Sequence, residues 1–408
     1  MFARLFHALC LCTLLLQALA AGAQEAPLSA LARLDGAASE IAGGVDQLSV
    51  TLALSQPVPW RLRVLGNPAR LIIDFREVDF TALPDMPVTA DAILGLRAGV
   101  FRPTWSRLVV QLAAPMVVAR SEMVTAGAQG AAVNITLRAA TDAEFADAAA
   151  LPEPPEWQLP KSADLPPARL PLSQKTGPLI VMLDPGHGGI DPGAQQGNIS
   201  EADLMLTFAR EFKESLLRTG EAVVVLTRED NTFVPLEGRV SAARAAGADV
   251  FLSLHADALA EGAAKGATLY TLSSDASDKA AQTLAERHDR DDLLAGVDLT
   301  AQDDLIANVL IDMARLETSP KIDRLARALE VAIKGKGLKM HRFARQTAGF
   351  SVLKSPDIPS VLIELGFLSS PSDLANLTNP EWRAQMIAAL QMGLLNWADA
   401  ERAAPPAP

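Results

Sequence analysis

The chain has 408 residues, 49% of them hydrophobic and 21% charged, with 48 acidic against 36 basic side chains and a formal net charge of −12. That balance excludes a protein built to hold polyanions, whether nucleic acid or an anionic membrane surface. At 5% aromatic residues the chain is also a poor platform for stacking on bases or sugars.

Residues 1–23 read as a secretory signal peptide. Arg4 begins a weak basic region, Ala8 to Leu16 is apolar, and "QALAAGAQ" offers small-residue cleavage sites after Ala20 or Ala23. The apolar run falls short of the ~20 residues that span a bilayer, so no membrane insertion is expected after cleavage. Both cysteines, Cys10 and Cys12, lie in this segment. The mature chain would then have no disulfide, no thiol nucleophile and no cysteine metal ligand. Losing Arg4 moves the charge from −12 to −13, and the expected compartment is the periplasm. About 385 residues remain (408 less 23), enough for two domains with their own cores.

Residues 27–138 alternate apolar and polar side chains in "QLSVTLALSQPVPWRLRV", "ARLIIDFREVDF" and "SRLVVQLAAPMVVARSEM". Val50, Leu52, Leu54 and Pro57 match Leu108, Val110, Leu112 and Pro115 at an offset of 58 residues. Period-two alternation broken by Pro and Gly predicts a small all-β sandwich of two related halves. The region holds no histidine and no acidic constellation, so it reads as a binding or targeting module. Residues 139–178 follow, with eight prolines between Leu151 and Pro178. They predict a semi-rigid linker.

From Leu179 the pattern turns to strand and helix in alternation. Strands are expected at 179–184, 222–227, 249–256, 266–272, 350–353 and 360–364, and helices at 201–219, 237–246 and 381–399. Continuous apolar strands between amphipathic helices predict an α/β domain over 179–400, its mostly parallel sheet covered on both faces. Ligands of such sheets bind beyond the carboxyl ends of the strands. There "VMLDPGHGG" delivers His187, "VFLSLHAD" delivers His255, and "SVLIELGF" delivers Glu364. Glu201 opens the first helix at the same edge.

Each residue has a plainer reading: a turn histidine, a first-turn acid beside a cap at Asn198 or Ser200, a satisfied strand-end carboxylate. Together, His187, His255 and Glu201 form the two-imidazole, one-carboxylate set of catalytic zinc. Glu364 is left to accept a proton from water that the metal acidifies. No GxSxG motif supplies a competing serine nucleophile. Asp184 and Asp257 are candidates for holding an imidazole N–H, and Asp184 reads equally well as a turn acid. Arg228 and Arg239 are candidates for orienting loops near the cleft.

"LDPGHGGIDPGA", "SEADLMLTFA", "FLSLHADA" and "IELGFLSS" resemble the four signatures of zinc-dependent N-acetylmuramoyl-L-alanine amidases, in order, across nearly all of residues 179–398. The resemblance implies one zinc per catalytic domain on His187, Glu201 and His255, with Glu364 catalytic, and cleavage of the amide joining N-acetylmuramic acid to L-alanine in peptidoglycan. More loosely, "PVPWRLRVLGNPARLIIDF" resembles the AMIN domain of amidases of Gram-negative cell division, which binds peptidoglycan.

Between the strands at 266–272 and 350–353 lies a helical insertion, about 273–345, expected as helices near 276–295, 302–317 and 320–335. Such a length suits a cover or regulator of a site. In the division amidases a comparable insertion blocks the cleft until a LytM-type activator protein displaces it, and in some relatives its glutamate reaches the zinc. Here "LAERHDRDDLLAGVDL" places His288 at or next to that position, beside Glu286 and Asp289. Either His288 takes the glutamate's place, or the block is steric, or the segment is a solvated charged face. His341 precedes a strand and suits the substrate groove or the surface. Two other functions stay open: a zinc peptidase cutting within stem peptides, and a non-catalytic peptidoglycan-binding protein.

Overall fold

The computed structural model describes residues 32–102, 104–125, 130–151, 171–258, 264–273, 275–294, 305–355 and 357–404. The expected signal peptide, its two cysteines and most of the proline-rich stretch lie outside these.

The N-terminal strands are β1 (Ala32–Gly43), β2 (Gln47–Leu54), β3 (Trp60–Leu65), β4 (Arg70–Arg76) and β5 (Val78–Asp79). They continue as β6 (Val88–Ala90), β7 (Ile93–Arg102), β8 (Trp105–Leu112), β9 (Met116–Thr125) and β10 (Ala131–Ala139). One sheet runs β5-β1-β2-β10-β9, with β6 on β1; the other runs β3-β4-β8-β7. The two segments related by the 58-residue offset fall in different sheets. Val50, Leu52 and Leu54 of β2 and Leu108, Val110 and Leu112 of β8 are buried in one shared core. Alternation puts those side chains on one face of each strand, which is why the same pattern serves both sheets.

A helix, α1 (Asp142–Ala149), then occupies ground read from sequence as linker. Its residues contain no proline; the prolines begin at Pro152. Thr141 caps it by accepting from the Glu144 N–H at 3.2 Å, and Phe145 is buried in the β core.

The C-terminal part begins with β11 (Leu179–Pro185), β12 (Gln195–Gln196), β13 (Ile199–Ser200), α2 (Glu201–Thr219), β14 (Ala222–Leu226), α3 (Leu236–Ala245) and β15 (Val250–His255). It continues with β16 (Ala267–Leu272), α4 (Lys279–Leu294), α5 (Leu305–Gly335), β17 (Met340–Ala348) and β18 (Ser360–Glu364). Helices α6 (Pro371–Thr378) and α7 (Pro380–Ala403) close the chain. The sheet order is β14-β11-β15-β18-β16-β17. Neighbours run parallel except β16, which is antiparallel to β18.

Alternate side chains of the central strands feed two cores. Val181, Leu183, Leu252, Leu254, Val361 and Ile363 pack with Phe208 and Phe212 of α2, Leu325 and Leu329 of α5, and Leu390 and Trp397 of α7. Met182, Phe251 and Leu362 pack on the other face with Ala243 of α3, Leu284 of α4 and Phe350. Burying each large apolar side chain contributes about 1.5–3 kcal/mol, so both faces need cover.

Two expectations fail. Residues 351–353 form a 3₁₀ turn and not a strand; Val352 and Leu353 are apolar because the turn is buried in the second core. The strand is instead the polar "MHRFARQTA" of β17 at the sheet edge, where one side needs no apolar residues. The insertion forms helices α4 and α5 among the described residues, not three. Helix α5 runs through Pro320, and the segment beyond the proline is anchored by buried Leu325, Leu329 and Ile333.

Asp184, near the end of β11, is fully buried and accepts from Thr227 Oγ1 and Ser253 Oγ, each at 2.6 Å, and from Arg239 at 2.7 Å. It ties three segments at the sheet edge and holds no imidazole, which corrects that reading. Asp184→Ala leaves the buried Arg239 without its counter-charge. We expect a loss of about 3–5 kcal/mol in denaturant unfolding. A loss of about 1 kcal/mol or less, typical of an exposed pair, would contradict this role.

Candidate metal centre

Three strand ends meet at the carboxyl edge of the sheet. Strand β11 runs through Gly186 to His187, β15 ends on His255 and β18 on Glu364, whose Cα is paired in register with that of His255. Helix α2 begins with Glu201, after Ser200 caps it by accepting from the Asp203 N–H at 3.2 Å. Glu201 is fully buried, so the cap and the first-turn acid have separate tasks here. Its Oε1 accepts from the Ala256 N–H at 2.8 Å and its Oε2 from the Ala194 N–H at 3.0 Å. The same Oε1 lies 3.2 Å from His187 Nε2 and 3.2 Å from His255 Nδ1.

The backbone at His187 is held under constraint. His187 takes a left-handed φ of +58°, a conformation that costs of order 1–3 kcal/mol in a non-glycine residue. Two buried arginines hold it. Arg239 donates to the His187 carbonyl at 2.8 Å; Arg228 donates to the carbonyls of Pro185, Gly186 and Ala202 at 2.8–2.9 Å. Both hold the loop through its carbonyls. At Gly186 a Cβ would lie 2.3 Å from His255 Cε1, a clash that glycine avoids.

Asp191 sets the direction of the His187 ring. Its Oδ2 lies 2.7 Å from His187 Nδ1, so Nδ1 carries the proton and Nε2 faces the centre. The sequence reading overlooked this carboxylate, although it stands four residues beyond the histidine in "HGGID". His288 of α4 is buried in the same place, its ring centroid 4.3 Å from that of His255 and 5.6 Å from that of His187. Nitrogens of His187, His255 and His288 lie within 4.8 Å of one another. Asp257 serves the insertion helix rather than a strand-end imidazole. Its Oδ1 accepts from Arg287 at 2.9 Å and its Oδ2 is 3.4 Å from His288 Nε2. Glu364 Oε2 accepts from the Asp257 N–H at 3.0 Å. His341 is not in this cluster; it lines a cavity of about 640 Å³ with Lys265, Lys279, Arg287, Lys339 and Arg342.

His187 Nε2, His288 Nε2, Asp257 Oδ2 and Glu364 Oε1 are buried and make no hydrogen bond, the first three having only the 3.2 and 3.4 Å charge contacts given above. Each such group costs about 1–3 kcal/mol, and several in one spot call for an ion. Imidazole and carboxylate donors suit zinc, and its usual bond lengths place two ligand atoms of a tetrahedron about 3.4 Å apart. The 3.2 Å separations around Glu201 Oε1 fit that set.

The charges are strongly perturbed. Burial opposes protonation of His187, yet Asp191 and Glu201 hold its pKa well above the usual value. Burial and then His288 push His255 down to about 4. Burial, with Glu201 and Asp257 close by, raises Glu364 well above the ordinary carboxylate range.

Residues 181–396 match the Amidase_3 family, described as N-acetylmuramoyl-L-alanine amidase. The N-acetylmuramoyl-L-alanine amidase AmiC of Escherichia coli is 30% identical over 359 residues, 85% of this chain and 85% of that one. AmiC of Neisseria meningitidis is 31% identical over 361 residues, again 85% of each. AmiA of Salmonella typhimurium is 38% identical over 239 residues, 57% of this chain and 82% of that one.

In metal-free protein the two strand-end histidines should titrate apart. His187, with its pKa raised from 6.5, stabilises the fold below that value and loses the contribution as pH rises through the raised one. His255, lowered to about 4, contributes above 6.5 and loses it as pH falls towards 4. Imidazole ¹⁵N shifts at pH 7 should show His187 doubly protonated and His255 neutral. Titration of both together near 6.5 would contradict the geometry.

Proposed function

The chain belongs to the N-acetylmuramoyl-L-alanine amidase family, and we propose that it works with one zinc ion held by His187, Glu201 and His255. Its reaction is hydrolysis of the amide joining N-acetylmuramic acid to L-alanine in peptidoglycan. The observation that carries the zinc assignment is the convergence of two strand-end imidazoles and a helix-start carboxylate on one buried point, both imidazoles 3.2 Å from Glu201 Oε1.

When bound, zinc supplies Lewis acidity, polarising the scissile carbonyl and lowering the pKa of water. The chain's own residues do the rest. Asp191 keeps the His187 ring in the tautomer that turns Nε2 to the centre. Glu364 Oε1, buried and unpartnered, takes the proton from water and returns it to the leaving nitrogen. The zinc cation would draw Glu364 back towards its ionised form, which general-base catalysis needs. The basic cavity bounded by Lys265, Lys339 and Arg342 suits the carboxylates of a stem peptide. A zinc peptidase acting within stem peptides would use the same centre; the family match disfavours it, and product masses decide.

The resting enzyme is autoinhibited. Helix α4 sets His288 against both histidines, where water and substrate would have to enter. It is latched by Arg287 on Asp257 and by Asp289, which accepts from Ser351 Oγ at 2.8 Å. A LytM-type activator protein would displace it. The protein is exported, loses residues 1–23 and splits septal peptidoglycan in the periplasm during division, its N-terminal β region binding peptidoglycan. No described helix is long and apolar enough to cross a membrane.

Digestion of purified sacculi with and without a chelator, read by mass, should release stem peptides beginning with L-alanine only when zinc is present. Shorter peptide fragments would identify a peptidase instead. Glu364→Gln should keep its zinc and lose roughly 10²–10⁴-fold in rate; an active variant would remove Glu364 from the mechanism. His288→Ala should raise the basal rate about tenfold or more, equivalent to ~1.4 kcal/mol of closure energy. An unchanged rate in zinc-loaded protein would rule out the histidine latch.

A further inference from the structure

Strand β7 of the N-terminal part makes contacts with the His187 loop that a tether does not require. The Ile190 N–H donates to the Val100 carbonyl at 3.1 Å. Ile190 and Phe233 are buried in one small core with Leu65, Ile72, Phe101 and Val109. The Phe101 and Phe233 rings stack at 5.9 Å and 20°. Phe101 is itself fixed from behind by the Arg107 guanidinium, 3.4 Å from its centroid and ion-paired to Asp74 at 2.6 Å. Arg97 Nη1 lies 3.7 Å from Asp191 Oδ1.

The backbones meet closely enough to need glycine on both sides. A Cβ on Gly99 would lie 2.8 Å from the Gly189 carbonyl oxygen and from Ile190 N and Cα. A Cβ on Gly189, itself at φ +60°, would collide with the Val100 carbonyl and with Phe233 N. "RAGVF" on β7 and "GGID" after His187 therefore form one interlocked unit. The last residue of that unit, Asp191, orients the His187 imidazole at 2.7 Å.

We propose that the N-terminal β-sheet is a structural part of the metal centre: β7 clamps residues 188–191 and, through Asp191, fixes the His187 ring for zinc. Gly99 and Arg97 are positioning residues. The proposal rests on the zinc reading for its affinity readout, while the clamp itself is measurable without metal.

The test uses the full chain. Gly99→Val wedges the contact, since the three nearest atoms to its Cβ all belong to the facing loop. Gly95→Ala, on the same strand with only an ordinary 3.7 Å contact to Gln111, is the control. Zinc affinity is read by chelator competition, and loop order by amide hydrogen exchange at Ile190 and Asp191. Gly99→Val should weaken zinc binding roughly 10–100-fold, the usual effect of losing an outer partner of a ligand, and speed exchange at Ile190, with Gly95→Ala unchanged. Wild-type zinc affinity and protection in Gly99→Val would overturn the proposal. If that variant does not fold, the half-exposed Arg97→Gln decides: several-fold weaker zinc binding supports the clamp, and unchanged binding and exchange refute it. If the unaltered protein binds no zinc, the zinc reading falls, and the exchange comparison still judges the clamp.

Discussion

The register between β15 and β18 is the constraint on which the rest of the site depends. Pairing Phe251 with Ser360 at one end places His255 beside Glu364 at the other. A slip of one residue in either strand would turn its side chains to the opposite face, part His255 from Glu364 and mix the two cores. The register is locked by that cost, since Leu252, Leu254, Val361 and Ile363 belong to one core and Phe251 and Leu362 to the other. Hydrophobic packing thus aims a polar site that it does not itself contain.

Once aimed, the polar groups create an electrostatic problem that shapes everything around them. Glu201 and Glu364 are fully buried, with Asp257, Asp191 and three imidazoles nearly so. Isolated carboxylates at this depth would be expensive. Part of the charge is met inside the protein: Asp184 and Arg239 neutralise each other beneath the site, and backbone N–H groups of Ala194, Ala256 and Asp257 serve Glu201 and Glu364. What is left over, Glu364 Oε1 without a partner and three further atoms without a hydrogen bond, marks where a cation belongs. An imidazole from the insertion helix, that of His288, is buried in the same crowd.

Much of this was legible in the chain. Continuous apolar runs ending in His187, His255 and Glu364 could be read because central strands covered on both faces leave little room for other residues. The structure gathers these three with Glu201 at one edge. Side-chain partners were harder to read. Asp184 and Asp191 flank the same histidine in the sequence, and nothing local says which one holds it; the left-handed turn at His187 decides, by bringing Asp191 round to Nδ1. Strand β17 was missed because an edge strand needs no apolar pattern. The clamp from β7 had no signal at all, since it depends on two glycines 90 residues apart in the chain, Gly99 and Gly189, meeting backbone to backbone.

The most direct measurement is X-ray absorption at the zinc edge of the full-length, zinc-loaded protein and of a variant from which helix α4 is deleted. We expect one zinc per chain with the imidazoles of His187 and His255 and the Glu201 carboxylate in both proteins; a third imidazole at rest would make His288 a ligand of the closed state. A resting centre with two imidazoles would leave only a steric block. A protein that holds no zinc at this edge, or binds it without imidazole, would contradict the central claim.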